Sequence, residues 1–594
     1  MEFYKTIGEM LISTARNYHT KTAYKYKDNG NWISISHQDL LDKATALAKS
    51  LIDLGFVKGD RIGIVSENRI EWIISDMACA FVGIVDVPVF PILTPSQLHY
   101  IFDNCSAKGV FVSNSFQYNK IKSVKNELPE LEHIICYGEI ESDEVDSFNK
   151  LINNELKNDA KARLHEIEKL NAQVDPKDLL TIIYTSGTTG HPKGVMLTND
   201  NLIEDMKGAL NTGAFYGFEY SLSYLPFCHA YERLAGYYTI YSLGIEIALA
   251  ESIESIPSNI KEIKPEVMTT VPKLMETIKK KVFLMMEQEK LVKRQVFNWA
   301  IKVGKTYLER KRLNKLGPFI KIQYSMAEKL VYSKIKQRLG GRMKMMIAGG
   351  AALADDVNEF FALIGITTVQ GYGLTETSPA VCFTRPHNNE IGTVGEPFDN
   401  IEVKIADDGE ILIKGPIVMK GYYNDEEATS EAIKDGWFHT GDIGIITERG
   451  NIKITDRKKN IFVSSGGKNI APQPVENSLK ESRYVDQIVM FGDGEEFCSA
   501  LIYPDYFRLK ELANKNGIDF KDEKELADNE KINRLVKSDL NHLQSQFSKF
   551  EKVRKIALLK EPLSIEKGEL TPKMSFRRHV IKENYQDLLN KLYS

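Results

Sequence analysis

The 594-residue chain is predicted to fold as an α/β protein, with a large N-terminal domain of stacked βα sheets, a small barrel-like β subdomain, and a small α+β domain at the C-terminal end. Three observations predict this. Between about residues 33 and 250, short β-branched runs alternate with helical patterns, the rhythm of βα units around largely parallel sheets. Two glycine-rich turns, YTSGTTGHPKG at 184–194 and QGYGLTETS at 370–378, follow strand-like runs, and open α/β sheets bind ligands at such strand ends. From about 393 to 455 the runs shorten and turns multiply (VGEPF, IEVKIA, EILIKG, NIKIT), as in a small barrel or antiparallel subdomain. A hydrophobic content of 43% supplies cores for more than one domain.

Taken in order, the N-terminus MEFYKTIGEMLISTARNYHTK has no basic region leading into a continuous apolar core, so no secretory leader is read there. HQDLLDKATALAKSLIDLG has helical spacing and is followed by the strand RIGIVS. The most apolar long stretch, WIISDMACAFVGIVDVPVFPIL, is interrupted by Asp76 and Asp86, which marks it as buried core rather than a membrane span. GVFVS, HIICY and LLTIIY continue the strand series.

The run after LLTIIY is built to wrap phosphates. Gly187, Gly190 and Gly194 allow close backbone approach, Thr185, Ser186, Thr188 and Thr189 add hydroxyls, and Lys193 adds a mobile positive charge. It is not a Walker loop, because Lys193 is followed by Gly194 rather than Ser or Thr. The apolar run VMLT then leads into a helix, an unusual setting for a flexible linker. IEIALA resumes the strands, as do MKMMIAGG and ITTVQGYG on either side of the helix ADDVNEFFALIG. In the second glycine-rich turn Tyr372 offers a ring for a purine, Thr375 a donor to a phosphate oxygen, and Glu376 a hard oxygen ligand for Mg²⁺.

Net charge is −4, yet residues 279–344 hold 19 Lys/Arg against four Glu. That segment repeats apolar residues at helical spacing between lysine clusters, which reads as a solvated helical insertion or as a docking surface for anionic membrane. No nucleic-acid-binding pattern accompanies the charge. The six cysteines are scattered without CxxC pairs, arguing against disulfide scaffolding and structural zinc and for a reducing, cytoplasmic setting.

The two loops, together with AGGAAL (348–353), LPFCHAYER (225–233), GWFHTGDIG (436–444), DRKKNIFVSSGGKNIAP (456–472) and ELTPKM (569–574), resemble in order and spacing the adenylate-forming (AMP-binding) ligases. The run DGWFHTGDIGIITERGNIKITDRKK is similar to the signature of the long-chain fatty acid:CoA ligases. The resemblance implies a two-step reaction: a fatty carboxylate attacks the α-phosphate of ATP·Mg²⁺ to give acyl-AMP and pyrophosphate, and coenzyme A then takes the acyl group. It implies a metal held by Thr185 and Glu376, and phosphates held by Ser186, Gly187, Thr188, Thr189, Gly190 and Lys193. Gly349, Gly350 and Ala351 would pack along adenine and acyl phosphate, with Gln370, Gly371, Tyr372, Gly373 and Thr375 beside them. Asp442 would accept the ribose hydroxyls with Arg457 as its partner, and Lys573 would bridge the attacking carboxylate and the α-phosphate.

His229 would gate the acyl entrance, with Gly236, Tyr237, Tyr238 and Leu243 lining the acyl pocket, while Glu232 and Arg233 are read as a pair with each other. The resemblance places an N-terminal domain at 1–456, including the basic insertion at about 279–344, and a mobile C-terminal domain at 457–594. Lys459 would be the pivot between them, and Gly466 and Gly467 would admit the thiol arm of coenzyme A. Peripheral contact with the inner face of a membrane is entertained, as is a homodimer. Two rivals are an acyl-carrier-protein or acyl-AMP ligase, and a membrane-associated fatty-acid carrier with a gating nucleotide site.

Overall fold

The computed structural model describes residues 4–185, 191–385, 388–571 and 576–593. One large sheet has eight strands in the order Gly421–Tyr422, Lys193–Thr198, Leu179–Thr185, Val85–Val89, Arg61–Val65, Gly109–Val112, His133–Cys136 and Asp146–Ser147. From Leu179–Thr185 onward its neighbours run parallel, and Val85–Val89 and Gly109–Val112 are buried at every position. Strands covered on both faces must be apolar throughout, which is why they stand out in the sequence. The stretch 72–93 resolves into the buried helix Ile70–Val82 and the strand Val85–Val89, and among the described residues no helix is long and apolar enough to cross a membrane.

The second sheet has nine strands: Glu396–Pro397, Cys382–Phe383, Thr367–Tyr372, Met345–Ala348, Val267–Thr270, Tyr220–Ser223, Glu246–Leu249, Thr22–Asp28 and Asn31–Ser36. The strands Met345–Ala348 and Thr367–Tyr372 lie side by side, parallel, with Ala348 opposite Gln370. The two glycine turns that follow them therefore leave the sheet at the same edge. The antiparallel hairpin of Thr22–Asp28 and Asn31–Ser36 has no apolar run to announce it, because it is an edge with one face largely exposed.

The basic segment is helical, as expected, with helices Pro272–Glu287, Leu291–Arg312, Pro318–Ala327 and Ser333–Arg338 and a π-helical turn at Glu328–Tyr332. Between 402 and 457 short strands form a separate five-stranded sheet. Near the C-terminus a three-stranded sheet of Val485–Phe491, Cys498–Pro504 and Val553–Leu558 shares a core with the helices Pro472–Leu479, Tyr506–Lys515 and Glu530–Leu543, an α+β arrangement. All six cysteines are buried free thiols.

The chain divides into two compact units. The first comprises residues 1–403, 412–439 and 448–452, and the second 404–411, 440–447 and 453–594. The 1–456 and 457–594 boundaries expected from sequence place a single cut where this division interleaves four segments between residues 404 and 452.

Candidate active site

In the first unit the strands Leu179–Thr185 and Lys193–Thr198 form an antiparallel hairpin whose last register pair is Thr185 opposite Lys193. Ser186, Gly187, Thr188, Thr189 and Gly190 lie outside the described residues. Gly194 is required by packing, since a Cβ there would meet Ile182 Cγ2 at 2.9 Å and the Tyr184 ring at 3.0 Å. The third strand, Gly421–Tyr422, adds to Lys193–Thr198 with Tyr422 opposite Val195. The Lys193 ammonium then sits 5.1 Å from the centroid of the Tyr422 ring. The Tyr422 hydroxyl donates to Glu376 Oε1 at 3.0 Å, and Met419 N–H donates to the Glu376 carbonyl at 2.9 Å. Lys193 and Glu376, expected at the phosphates and the metal, are thus joined through one tyrosine that the sequence reading did not single out.

The turn carrying Glu376 is fixed from several sides. Gly373 has the Pro379 carbonyl only 2.0 Å from where a Cβ would stand, so no other residue fits. Thr377 Oγ1 accepts from Leu374 N–H at 2.9 Å, and Asp205, on the helix that follows the loop hairpin, accepts from Ala380 N–H at 2.7 Å. Burial pushes the Asp205 carboxyl well above the usual carboxylate range. Thr375, Gln370 and Tyr372 are buried, so Tyr372 offers little of its ring to a ligand. Thr185 and Glu376 supply two hard oxygens, and among the described residues no group of three His, Cys, Asp or Glu gathers to hold a metal. That donor set fits Mg²⁺, which keeps several waters and is bound through one or two protein oxygens plus substrate phosphates.

At the neighbouring strand end, Gly349 is glycine because the Tyr231 ring lies 2.9 Å from its missing Cβ. Tyr231 is held there by donating to the Ile347 carbonyl at 2.6 Å. Gly350 adopts φ +79°, the left-handed region that favours glycine, and Ala351 next to it is exposed. The LPFCHAYER and AGGAAL motifs are therefore one packed element.

His229 of the same motif is half-buried, its ring edge-on to Phe90 at 5.3 Å. Glu232 and Arg233, read as a pair, do not meet each other. Glu232 folds back over Gly236 and accepts from Ser223 Oγ at 2.5 Å and Thr269 Oγ1 at 2.6 Å, and burial pushes its carboxyl up to about 7. Arg233 points the other way. Its guanidinium bonds Asp86 Oδ1 at 2.8 Å and Thr181 Oγ1 at 2.9 Å, and also reaches Asp76; its Nε donates to the Tyr238 oxygen at 2.9 Å. Successive helical residues face different directions, so a local Glu–Arg pair was the wrong geometry. Burial raises the Asp76 carboxyl against the pull of Arg233, and Tyr237 and Tyr238 sit wholly in the core around this cluster.

In the second unit the buried Asp442 and the half-exposed Arg457 are joined at 2.8 Å between Oδ1 and Nε. Lys458 ties Asp408 at 2.6 Å and Glu410 at 3.0 Å, and Gly441 N–H donates to the other Glu410 oxygen at 2.8 Å. Lys459 lies in the 3₁₀ turn Lys458–Asn460. Gly466 and Gly467 form an exposed turn; Gly467 has φ +71° and donates to the Ser464 carbonyl at 2.8 Å. Lys573 lies outside the described residues.

A profile of AMP-binding enzymes matches residues 11–423, and one of the AMP-binding enzyme C-terminal domain matches 459–594. The chain is 30% identical to the long-chain-fatty-acid–CoA ligase FadD15 of Mycobacterium bovis over 620 aligned positions, covering 99% of this chain and 98% of that one. It is 33% identical to the peroxisomal long chain acyl-CoA synthetase 6 of Arabidopsis thaliana, covering 92% of this chain and 80% of that one. Among solved structures, an anthranilate CoA ligase in complex with anthranoyl-AMP superposes with TM-score 0.73 at 18% identity, covering 99% of each chain.

Proposed function

The chain belongs to the AMP-binding enzyme family, and from that premise we propose that it joins a long-chain fatty acid to coenzyme A at the expense of ATP, through acyl-AMP. The observation that carries the reading is its end-to-end likeness to enzymes named for that activity, with the Lys193–Tyr422–Glu376 chain supplying the chemistry. A carboxylate is a poor acyl donor because oxide would have to leave; AMP leaves far more readily. Adenylation brings two anions together, so catalysis is positioning and charge neutralisation rather than covalent help.

In this reading Lys193 and the hydroxyls of the 185–190 loop neutralise the departing pyrophosphate. Thr185 and Glu376 hold Mg²⁺, which when bound adds further positive charge at the phosphates. Asp442 orients the ribose, and Lys573 sits between carboxylate and α-phosphate. No general base is needed, since the fatty carboxylate is already ionised. His229 borders the acyl entrance, and the 279–344 segment brings the protein to the membrane from which its substrate is drawn. The domain after the DRKKN turn moves between the half-reactions and presents Gly466 and Gly467 to the thiol.

The test is AMP release across carboxylic acids from acetate to oleate, with and without coenzyme A. Coenzyme-dependent release favouring the long acids is expected; release that ignores coenzyme A would point to an acyl-AMP ligase. Lys573→Ala should suppress ATP–pyrophosphate exchange while leaving thioester formation from supplied acyl-AMP largely intact, and equal loss of both would remove Lys573 from the mechanism.

A further inference from the structure

The helix Pro318–Ala327 and the turn after it have two apolar sides, and only one is used by the fold. Ile320, Ala327 and Val331 are buried in the core. The Tyr324 ring stacks on Tyr307 of the helix Leu291–Arg312 at 4.0 Å, and its hydroxyl donates to the Leu363 carbonyl at 3.0 Å. Tyr332 completes the attachment by donating to the Ala300 carbonyl at 2.5 Å. The hairpin of these two helices is therefore firmly seated.

Its other side carries Phe319, Ile322, Met326 and Leu330, spaced three, four and four residues apart and exposed by 70%, 61%, 51% and 45%. That spacing places them along one line of a helix. At the hairpin tip Leu313, 57% exposed, stands in the run RKRLNK, whose Arg310, Lys311, Arg312 and Lys315 are exposed and form no ion pair among the described residues. A row of large apolar side chains left in water is unfavourable unless something covers it. Basic residues with apolar stems beside such a row match one kind of cover, an anionic lipid interface, where the apolar side chains enter the acyl boundary and the cations reach the headgroups.

We propose that this face of the Leu291–Arg312 and Pro318–Ala327 hairpin is the element that docks on anionic lipid bilayers, with Phe319, Ile322, Met326 and Leu330 inserted and the 310–315 cations on the headgroups. This rests on the reading of the protein as a long-chain acid ligase that contacts membrane, and names the side chains that make the contact. The full-length protein is sedimented with phosphatidylcholine vesicles, with and without phosphatidylglycerol, at low and high salt. Binding should require phosphatidylglycerol and weaken with salt.

The pair Phe319→Ser with Met326→Ser should lower the partition coefficient by about tenfold. The set Lys311→Gln, Arg312→Gln and Lys315→Gln should lower it by roughly a hundredfold, at about fivefold per cation. Both variants should release AMP normally from a fatty acid presented in detergent. Wild-type protein that ignores anionic vesicles, or variants that bind as wild type does, would overturn the docking face. So would a change confined to oligomeric state in light scattering, which would give this face to a second copy of the chain. Absence of AMP release from any acid in detergent would instead defeat the ligase reading, whatever the vesicles show.

Discussion

Tyr422 shows how much one side chain can organise. Its hydroxyl orients a carboxylate oxygen of Glu376 while its ring carries the charge of Lys193. Tyr422→Phe keeps the ring and removes the hydrogen bond. It should lower kcat for ATP–pyrophosphate exchange by about tenfold, with a smaller change in KM for ATP, because a hydrogen bond to a charged group contributes about 1.5–3 kcal/mol. Unchanged exchange would reduce Tyr422 to packing. Titration also acts at this scale. His37, fully buried beside Tyr241, has its pKa lowered to about 4 by burial, whereas burial lifts Glu232 to about 7. A buried neutral histidine contributes stability that is lost as pH falls from 6.5 toward 4, because the unfolded chain takes the proton first. The raised Glu232 works in the opposite sense: its contribution is full below 4.5 and lost as pH rises through about 7. Each term amounts to roughly 3 kcal/mol, and over the shared window the two oppose each other. Relative to the wild-type profile, His37→Gln should therefore tilt the thermal midpoint downward with rising pH between 4.5 and 6.5, and Glu232→Gln should tilt it upward. Both changes in slope would be read by calorimetry, and two profiles parallel to that of the wild type would refute the assignment.

At the scale of elements, packing joins motifs that lie far apart in sequence. The Tyr231 ring against Gly349 makes the 225–233 turn and the 348–353 turn a single object, and Arg233 continues it to Thr181, four residues before the loop that opens with Thr185. Gly349→Ala should cost about 1–3 kcal/mol of stability by overpacking and reduce kcat/KM for ATP. Adding Tyr231→Leu should return much of the stability, a non-additivity measured by urea unfolding of the four proteins. The strand Met345–Ala348 was legible because it is buried throughout and reads as an unbroken apolar run, and Leu179–Thr185 because its centre does nearly the same, whereas Thr367–Tyr372 was marked by the glycine turn that ends it. The edge hairpin Thr22–Ser36 and the two-residue strand Gly421–Tyr422 were not legible, since an edge needs no such run and two residues make no pattern. The same holds for chemistry. Glycines and hydroxyls near strand ends point to phosphates by composition alone, but the Tyr422–Glu376 bond joins residues distant in sequence, and nothing local signals it.

At the scale of the whole molecule, the reaction asks one chain to perform two steps at one nucleotide. The hinge reading places the pivot at Lys459, inside a tight turn whose neighbour Lys458 is already anchored to Asp408 and Glu410. Lys459→Pro fixes φ and restricts the preceding residue, so it should slow thioester formation more than adenylation; equal slowing in single-turnover assays of the two steps would count against the pivot. The strand Lys193–Thr198 carries a further consequence. Its outer edge is covered by Gly421–Tyr422, with residue 421 meeting residue 196 and the N–H groups of Lys420 and Tyr423 donating to the carbonyls of Met196 and Gly194. A ribosome delivers the first partner long before the second. Throughout that interval the nascent chain shows KGVMLT with one row of backbone groups unpaired, a template for wrong partners. The same late strand brings Tyr422 to Glu376, so the nascent protein cannot order the Glu376 carboxylate through this bond before that edge is closed, and holdase binding during synthesis should concentrate on this strand.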